Sequence, residues 1–333
     1  MIRPCRILVL APHPDDEIVA CGIAAMRARA AGARVFVLYL TTGVAEREAL
    51  WAWQRPRCAV RVQRRRDEAI EAAGLLGLEP VAFRDTPARR LRFDLAAAEA
   101  ALAAAIAECR AEALWVPAFE GGHQDHDAAN ALAAGFAGRL PVWEFAAYNF
   151  AGGRVRANRF AGERGGEVTI EANAAEAQAK RWALGCYASE CDNLRHLGAA
   201  RETGRPLPAH DYARPPHPGR LFRERFHWVP FRHPRVDFAA SAEVYRDIAD
   251  WASGARPHPL GDRPGGESGQ ADRELARAFD EPERQRRLGR EAGERGEGDQ
   301  RGLLGAPAGG DQEGGAARGK AQAFEQGGLG KTG

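Results

Sequence analysis

Short apolar runs alternate with longer helical patterns between Arg6 and Tyr187. The run Arg6–Pro12 is apolar without polar alternation, which is typical of a strand buried on both faces. A helical pattern over Ile18–Ala31 follows, and then a second run of β-branched and aromatic residues over Arg34–Thr41. Strand followed by helix, repeated along the chain, predicts a parallel sheet with helices on both of its faces.

The same alternation continues in the following segments. We predict further strands over Val81–Phe83, Ala113–Phe119 and Val142–Tyr148, and further helices over Arg61–Leu76, Leu95–Arg110, Asp127–Phe136 and Ala174–Tyr187. From Asp192 to Phe238 the pattern weakens into Pro- and His-containing loops. The expected fold class is therefore α/β, with a Rossmann-like, mostly parallel sheet and right-handed crossovers.

The composition changes sharply beyond Ser253. Of the 38 glycines, 20 fall between Gly254 and Gly333, and aromatic residues are nearly absent there. Such a segment cannot bury enough apolar surface to offset the entropy cost of ordering it. We therefore predict one folded domain over residues 1–238 and a disordered, Gly/Arg-rich segment over residues 239–333. A gene read out of frame would produce the same composition and is the alternative explanation.

The charge balance does not indicate a nucleic-acid or membrane partner. The net charge is +2 and both signs are mixed along the chain, so nothing indicates nucleic acid or an anionic membrane surface. No stretch approaches the roughly 18 apolar residues of a membrane-spanning helix. The six cysteines show no paired spacing, as is typical of reduced thiols. We predict a cytoplasmic protein, and the sequence does not indicate its oligomeric state.

A histidine and three acids follow the first predicted strand directly, in the segment Pro12–Glu17. Ligands of open α/β sheets bind at the carboxyl ends of the strands, so His13, Asp15 and Asp16 are expected at that edge. Acids this close together repel one another and lose solvation, and a bound cation relieves both costs. The alternative is that Asp15 or Asp16 only caps the helix that follows.

A second polar cluster, Gly121–His126, follows the predicted strand Ala113–Phe119. Its two glycines allow the backbone to approach a ligand closely. A pair of histidines on a loop is often only solvated, so His123 and His126 alone are weak evidence. Both clusters, however, lie at equivalent ends of parallel strands, and this position predicts that they share one metal site.

Two imidazoles and a carboxylate leave positions open on a metal, as catalytic zinc sites do. His13 and Asp16 from the first cluster and His126 from the second fit that ligand count. Zinc is the predicted ion, with another divalent ion such as Fe²⁺ as the alternative. Asp15 and His123 remain beside the metal, and they suit general base and general acid roles.

Three other functions are alternatives to a metal-dependent hydrolase. Non-haem iron(II) oxygenases also bind metal through two histidines and a carboxylate, although usually within double-sheet barrels rather than alternating strands and helices. A nucleotide-binding module is disfavoured because no GxGxxG follows the first strand. A non-catalytic metal- or sugar-binding protein is the third alternative, but binding alone does not need Asp15 and His123.

The PHPDDE signature of Pro12–Glu17 and the HQDH signature of His123–His126 together resemble the LmbE-like or PIG-L-like de-N-acetylases. The resemblance covers residues 5–237. Members of this family act on N-acetylglucosaminyl conjugates. The resemblance implies a zinc-dependent hydrolase that removes an N-acyl group, expected to be N-acetyl, from an amino-sugar conjugate.

The resemblance also implies a role for each residue of the two signatures. The zinc ligands would be His13, Asp16 and His126. Asp15 would be the general base, and His123 would protonate the leaving amine or stabilise the oxyanion. Asp125 would orient the imidazole of His123.

Other positions match the family less closely. Arg65 and Asp85 correspond to sugar-contacting positions of relatives, with a purely structural role as the alternative. Gln124 replaces the commoner proline. Gly121 stands where some relatives have a tyrosine that helps to bind the oxyanion, so that help must come from elsewhere or from the metal and His123.

The segment Gly43–Arg61 is the predicted lid over the substrate pocket, because loops after the strands shape such pockets. It carries Trp51 and Trp53. Their rings could stack on a sugar, although burial in the core is the alternative.

Overall fold

The computed structural model describes residues 5–195, 197–234 and 236–254. Its strands are β1 Arg6–Ala11, β2 Arg34–Tyr39, β3 Glu79–Phe83, β4 Ala113–Pro117, β5 Val142–Phe145, β6 Tyr148–Asn149, β7 Arg156–Ala157, β8 Val168–Glu171 and β9 Arg201–Pro206. Seven of them form one sheet in the order β3-β2-β1-β4-β5-β9-β8. Strands β1 to β5 are parallel, whereas β9 is antiparallel to both of its neighbours.

Helices cover both faces of this sheet. They are α1 Asp16–Ala30, α2 Cys58–Leu76, α3 Leu95–Cys109, α4 Gln124–Ala134, α5 Ala174–Cys186, α6 Cys191–Leu194 and α7 Ser241–Ser253. Helices α1, α2 and α5 pack on one face, and α3, α4 and α7 pack on the other. The predicted α/β fold with a mostly parallel sheet is confirmed. Within the described residues, no helix has both the length and the apolar character needed to cross a membrane.

Strand β1 shows why the run Ile7–Ala11 contains no polar residue. Its side chains alternate between the two cores, with Ile7 and Val9 in one and Leu8 and Leu10 in the other. All four are buried. A strand covered by helices on both faces needs an apolar residue at every position, and this gives the uninterrupted run that the sequence shows.

One buried strand, β9, lies in the region that the sequence analysis predicted to be irregular. Its sequence is RETGRP, and hydropathy does not identify it because two of its charged residues are buried. Glu202 contacts Lys180 at 2.6 Å and Arg205 contacts Glu144 at 2.7 Å. These ion pairs compensate the burial of charge, so this strand is specified by pairing and not by apolar character.

Helix α7 corrects the predicted end of the folded region. It lies within residues 239–333, which the sequence analysis assigned to a disordered segment, yet Val244, Tyr245 and Ile248 are buried in the core against α4. Their helical spacing was overlooked beside the glycine-rich sequence that follows. The described fold therefore continues to Ser253. Residues 255–333 lie outside the described residues, so the disorder predicted for them stays a prediction.

Candidate metal centre and active site

The two polar clusters follow neighbouring strands. Strands β1 and β4 pair in parallel, so the loops after them leave the sheet at the same edge. The side chains of His13, Asp16 and His126 are buried there, and their ligand atoms lie within 4.8 Å of one another. The structure therefore brings together the three residues that the sequence singled out as metal ligands.

Asp16 lies between the two histidines. Its Oδ2 atom is 3.0 Å from Nδ1 of His13, and its Oδ1 atom is 3.1 Å from Nε2 of His126. Burial raises the pKa of Asp16, but the adjacent His126 and His13 outweigh that effect and lower the pKa below its usual value. The carboxylate is therefore held in its ionised form, which is the form that binds a cation.

His126 shows whether these residues fit a metal ion. Both of its ring nitrogens are buried and neither makes a hydrogen bond among the described residues, although Nε2 lies 3.1 Å from Oδ1 of Asp16. A buried imidazole without a hydrogen bond costs free energy. A divalent cation bound by His126, His13 and Asp16 would use the free lone pair. The donor set of two imidazoles and one carboxylate fits a catalytic zinc site.

A second, overlapping group of possible ligands consists of His13, His123 and Asp125. Its lone pairs are already used by the protein. The Asp125 carboxylate accepts hydrogen bonds from the backbone N–H groups of Arg89 and Leu91, and Nδ1 of His123 accepts one from the backbone N–H of Asp125 at 3.1 Å. The first group, in which His126 makes no hydrogen bond among the described residues, is therefore the better candidate metal site.

Asp125 contacts a different histidine from the one that was predicted. Its Oδ2 atom is 3.0 Å from Nε2 of His13 but 3.6 Å from Nδ1 of His123. Because Nδ1 of His123 is already an acceptor, it does not donate to a carboxylate. The prediction that Asp125 orients His123 is therefore corrected. Asp125 instead contacts His13, one of the three candidate ligands, in the way that carboxylates commonly contact metal-bound histidines.

Asp15 directly precedes the first residue of α1, but its side chain does not cap the helix. Its side chain makes no capping hydrogen bond, and its backbone has φ of 127°, a region that residues other than glycine rarely adopt. The carboxylate instead accepts a hydrogen bond from Nη2 of Arg65 at 3.0 Å. Burial raises the pKa of Asp15 to about 7, even though Arg65 opposes the shift. This geometry excludes helix capping as the function of Asp15.

His123 lies beside the metal ligands. Its ring contacts the ring of His13 edge-on, with the centroids 4.4 Å apart. Burial and the neighbouring His13 lower its pKa well below the usual value, which favours the neutral ring. Since Nδ1 accepts a hydrogen bond, the proton of the neutral ring is on Nε2. His123 can therefore donate a hydrogen bond from Nε2.

Tyr148 is a site residue that the sequence analysis placed in a strand and did not assign to the site. Its ring lies 5.2 Å from the ring of His126, and it lines a cavity that His13 and Asp16 also line. Burial and the nearby Asp16 and Asp15 raise the pKa of Tyr148, so the hydroxyl group keeps its proton. Tyr148 lies just after β5, at the same edge of the sheet as the two clusters, and this position is the sequence signal that identifies it as a candidate site residue.

The loop that carries the second cluster holds Tyr148 in place. The Glu120 carboxylate accepts hydrogen bonds from the backbone of Ala147 at 2.8 Å and from the side chain of Asn149 at 2.9 Å, one on each side of Tyr148. Gly122 lies against the tyrosine, because an added Cβ atom would come within 3.1 Å of the ring and would clash with the Tyr148 carbonyl group.

One cavity of about 400 Å³ is lined by His13, Asp15, Asp16, His123 and Tyr148. The predicted lid contributes several of its lining residues, including Gly43, Trp51 and Arg61. Arg65 also lines the cavity, whereas Asp85 does not. The Asp85 side chain is 90% exposed and contacts Arg66. The structure therefore brings Arg65 to the site but leaves Asp85, the other predicted sugar contact, outside it.

Comparison with known proteins agrees with this geometry. The sequence model of the PIG-L family, described as GlcNAc-PI de-N-acetylase, matches residues 8–137. A 2'-N-acetylparomamine deacetylase from Streptomyces fradiae is 31% identical over 147 residues, which are 38% of this chain and 50% of that protein. The chain thus matches about half the length of this curated relative.

Among solved structures, the fold is similar to a triple mutant of a deacetylase involved in teicoplanin biosynthesis. The TM-score is 0.50 at 23% identity, over 60% of this chain and 97% of that chain. A deacetylase of the A40926 pseudoaglycone gives a TM-score of 0.48 at 24% identity, over 62% of this chain and 100% of that chain. The match to the PIG-L family model, residues 8–137, contains both clusters.

Proposed function

We propose that this protein is a zinc-dependent hydrolase that removes an N-acyl group, N-acetyl in particular, from an amino-sugar conjugate. One observation carries the proposal. The buried ligand atoms of His13, Asp16 and His126 converge, while Asp15 and His123 line the adjacent cavity outside that ligand set. The family match and a relative named as a 2'-N-acetylparomamine deacetylase support the same reaction class.

Asp15 is assigned as the general base. A zinc ion held by His13, Asp16 and His126 would supply a Lewis acid for the amide carbonyl and lower the pKa of water. Asp15 accepts the proton of the attacking water as the new C–O bond forms, and it returns that proton to the nitrogen as the C–N bond breaks. The products are a carboxylic acid and a free amine. Arg65 holds the Asp15 carboxylate through its hydrogen bond at 3.0 Å.

His123 and Tyr148 are assigned as hydrogen-bond donors to the tetrahedral oxyanion. His123 offers Nε2–H and Tyr148 offers its hydroxyl group, and both side chains line the cavity beside the metal ligands. Donors fixed before the reaction stabilise developing negative charge without reorganisation. Tyr148 thus binds the oxyanion in place of the tyrosine that some relatives have at the position of Gly121. Of the two roles left open for His123, this geometry favours the oxyanion role.

The test is release of free amine from N-acetylglucosaminides by the zinc-loaded protein. Asp15→Asn should retain zinc but lower kcat about 10²- to 10⁴-fold, because the base is lost while the ligands remain. Asp67→Asn, which changes an exposed acid on α2, is the matched control and should behave as the wild type.

The outcomes separate the alternatives. Turnover close to that of the wild type in Asp15→Asn would show that Asp15 is not the base. A zinc-loaded wild type that binds acylated sugars but releases no amine would instead indicate a non-catalytic binding protein, and the proposed function would be wrong.

A further inference from the structure

Aromatic side chains surround the entrance of the cavity. Trp51, Trp53, Phe226, Phe231 and His233 are here called the aromatic mouth. Trp51, Phe226 and His233 line the cavity itself. Trp53, Phe226 and Phe231 are 72%, 41% and 58% exposed. Clustered apolar surface of this kind is uncommon on soluble proteins and usually marks a binding site.

The rings form a continuous path from the cavity to the surface. Trp51 stacks on Trp53 with their centroids 5.3 Å apart and their planes 10° from parallel. His233 meets Trp51 edge-on at 5.6 Å, and Phe231 lies 6.4 Å from His233. The exposed rings are therefore extensions of the cavity lining and not isolated surface residues.

A second aromatic wall of the same cavity begins at the proposed oxyanion donor. The ring of Phe222 lies 4.7 Å from that of Tyr148. The guanidinium of Arg225 lies 3.5 Å from the centroid of Phe222 and 4.5 Å from that of Phe226. A guanidinium stacked on rings continues the flat surface on which a further aromatic ring can stack. This wall connects the reacting centre to the aromatic mouth.

We propose that the aromatic mouth binds an aromatic aglycone, so that the substrates are N-acylated amino sugars linked to an aryl group. This inference rests on the proposed function. Flat exposed rings lose unfavourable hydration when a second flat apolar surface covers them. A second sugar would bring hydroxyl groups that need hydrogen-bond partners, whereas the side chains of Phe226 and Phe231 offer none and Trp53 offers only its indole N–H.

The test compares kcat/KM for p-nitrophenyl N-acetylglucosaminide, methyl N-acetylglucosaminide and N,N'-diacetylchitobiose with the zinc-loaded protein. The aryl glycoside should be preferred over the methyl glycoside by about tenfold or more. Trp53→Ala should lower the ratio of aryl to methyl kcat/KM about threefold to tenfold, as expected for the loss of one aromatic contact. The control is Trp182→Ala, because Trp182 is 64% exposed on α5 and lies outside the cavity lining; it should keep the wild-type ratio.

A binding measurement separates failure of this inference from failure of the proposed function. The affinity for p-nitrophenyl N-acetylglucosaminide, measured in metal-free protein from the concentration dependence of tryptophan fluorescence quenching, should be lower in Trp53→Ala than in the wild type. An unchanged ratio and unchanged affinity in Trp53→Ala would overturn the inference. A preference for the disaccharide that Trp53→Ala abolishes would also overturn it, in favour of a second sugar at the mouth.

Discussion

Two groups of buried ionisable side chains in this protein differ in how their charges are balanced. The first, here called the paired cluster, consists of Glu144, Lys180, Glu202, Arg205 and His210. Lys180 contacts Glu202 at 2.6 Å, and Glu144 contacts both Arg205 at 2.7 Å and His210 at 2.9 Å. Each acid in this cluster thus has a basic partner from the protein itself.

The candidate metal centre is balanced only in part. Of the three consecutive buried acids Asp15 to Glu17, Asp15 contacts Arg65 and Asp16 contacts two histidines, but Glu17 has no basic partner among the described residues. Burial raises the pKa of Glu17 to about 8. The comparison teaches that balanced buried charges hold strands and helices together, whereas an unbalanced group marks the place where an ion or a substrate completes the structure.

The largest effect is expected from loss of a metal ligand. His126→Ala should weaken zinc binding by at least about 100-fold, because loss of a supporting partner alone costs about 10- to 100-fold. Asp125→Asn, which changes only the support of His13, should fall in that lower range. Zinc titration with a competing chelator measures both. Equal affinity in His126→Ala and the wild type would break the comparison, since the centre would then not need an ion at this place.

Breaking the paired cluster should affect stability and leave the metal centre intact. Lys180→Met leaves Glu202 buried without its cation and should lower the free energy of unfolding by about 3–5 kcal/mol. Urea denaturation measures this loss, and zinc affinity should not change. The double variant Lys180→Met, Glu202→Gln should recover part of the stability. If the single variant Lys180→Met were as stable as the wild type, the pair of Lys180 and Glu202 would not stabilise the fold.

Removal of one proposed oxyanion donor should affect turnover alone. Tyr148→Phe should lower kcat about 100-fold with little change in KM, because the hydrogen bond forms in the transition state. Tyr212→Phe is the control, since its hydroxyl group contacts Asn130 at 2.7 Å and the residue lies outside the cavity lining. A kcat for Tyr148→Phe equal to that of the control would remove Tyr148 from the mechanism.

Glu120 is a buried acid that belongs to neither group. It accepts hydrogen bonds, but among the described residues it has no basic partner, and it is not a candidate metal ligand. Burial raises its pKa to about 8, from an ordinary value of 4.5. At a pH between these two pKa values, the folded state holds a proton that the unfolded state has lost. The free energy of unfolding therefore falls as the pH rises. Glu120→Gln removes this dependence. Its stability relative to the wild type should rise by up to about 1.4 kcal/mol per pH unit between about pH 5 and 8.

Urea denaturation at a series of pH values measures that slope. Glu108→Gln, which changes an exposed acid on α3, should run parallel to the wild type. If the curve of Glu120→Gln is also parallel to that of the wild type, the carboxyl group is not held protonated, and Glu120 does not differ from the acids of the paired cluster.

Much of the fold and of the metal site could be predicted because both depend on local patterns. The apolar run of β1 and the helical spacing of α2 are visible in the sequence and are found in the structure. His13 and His126 were assigned to one site because each follows a parallel strand. Strand β9 and helix α7 were missed, since buried ion pairs and a short apolar stripe beside glycine-rich sequence leave little local signal.

By itself, the sequence determined which segments form strands and helices and which side chains meet at the carboxyl edge of the sheet. Only the tertiary structure decided that Asp125 contacts His13 and not His123, that Tyr148 lies beside His126, and that two aromatic walls frame the cavity. The physical reason is the range of the interactions. Periodicity is a property of neighbouring residues, whereas the partner of a buried polar group is chosen by packing between segments that are distant in the chain.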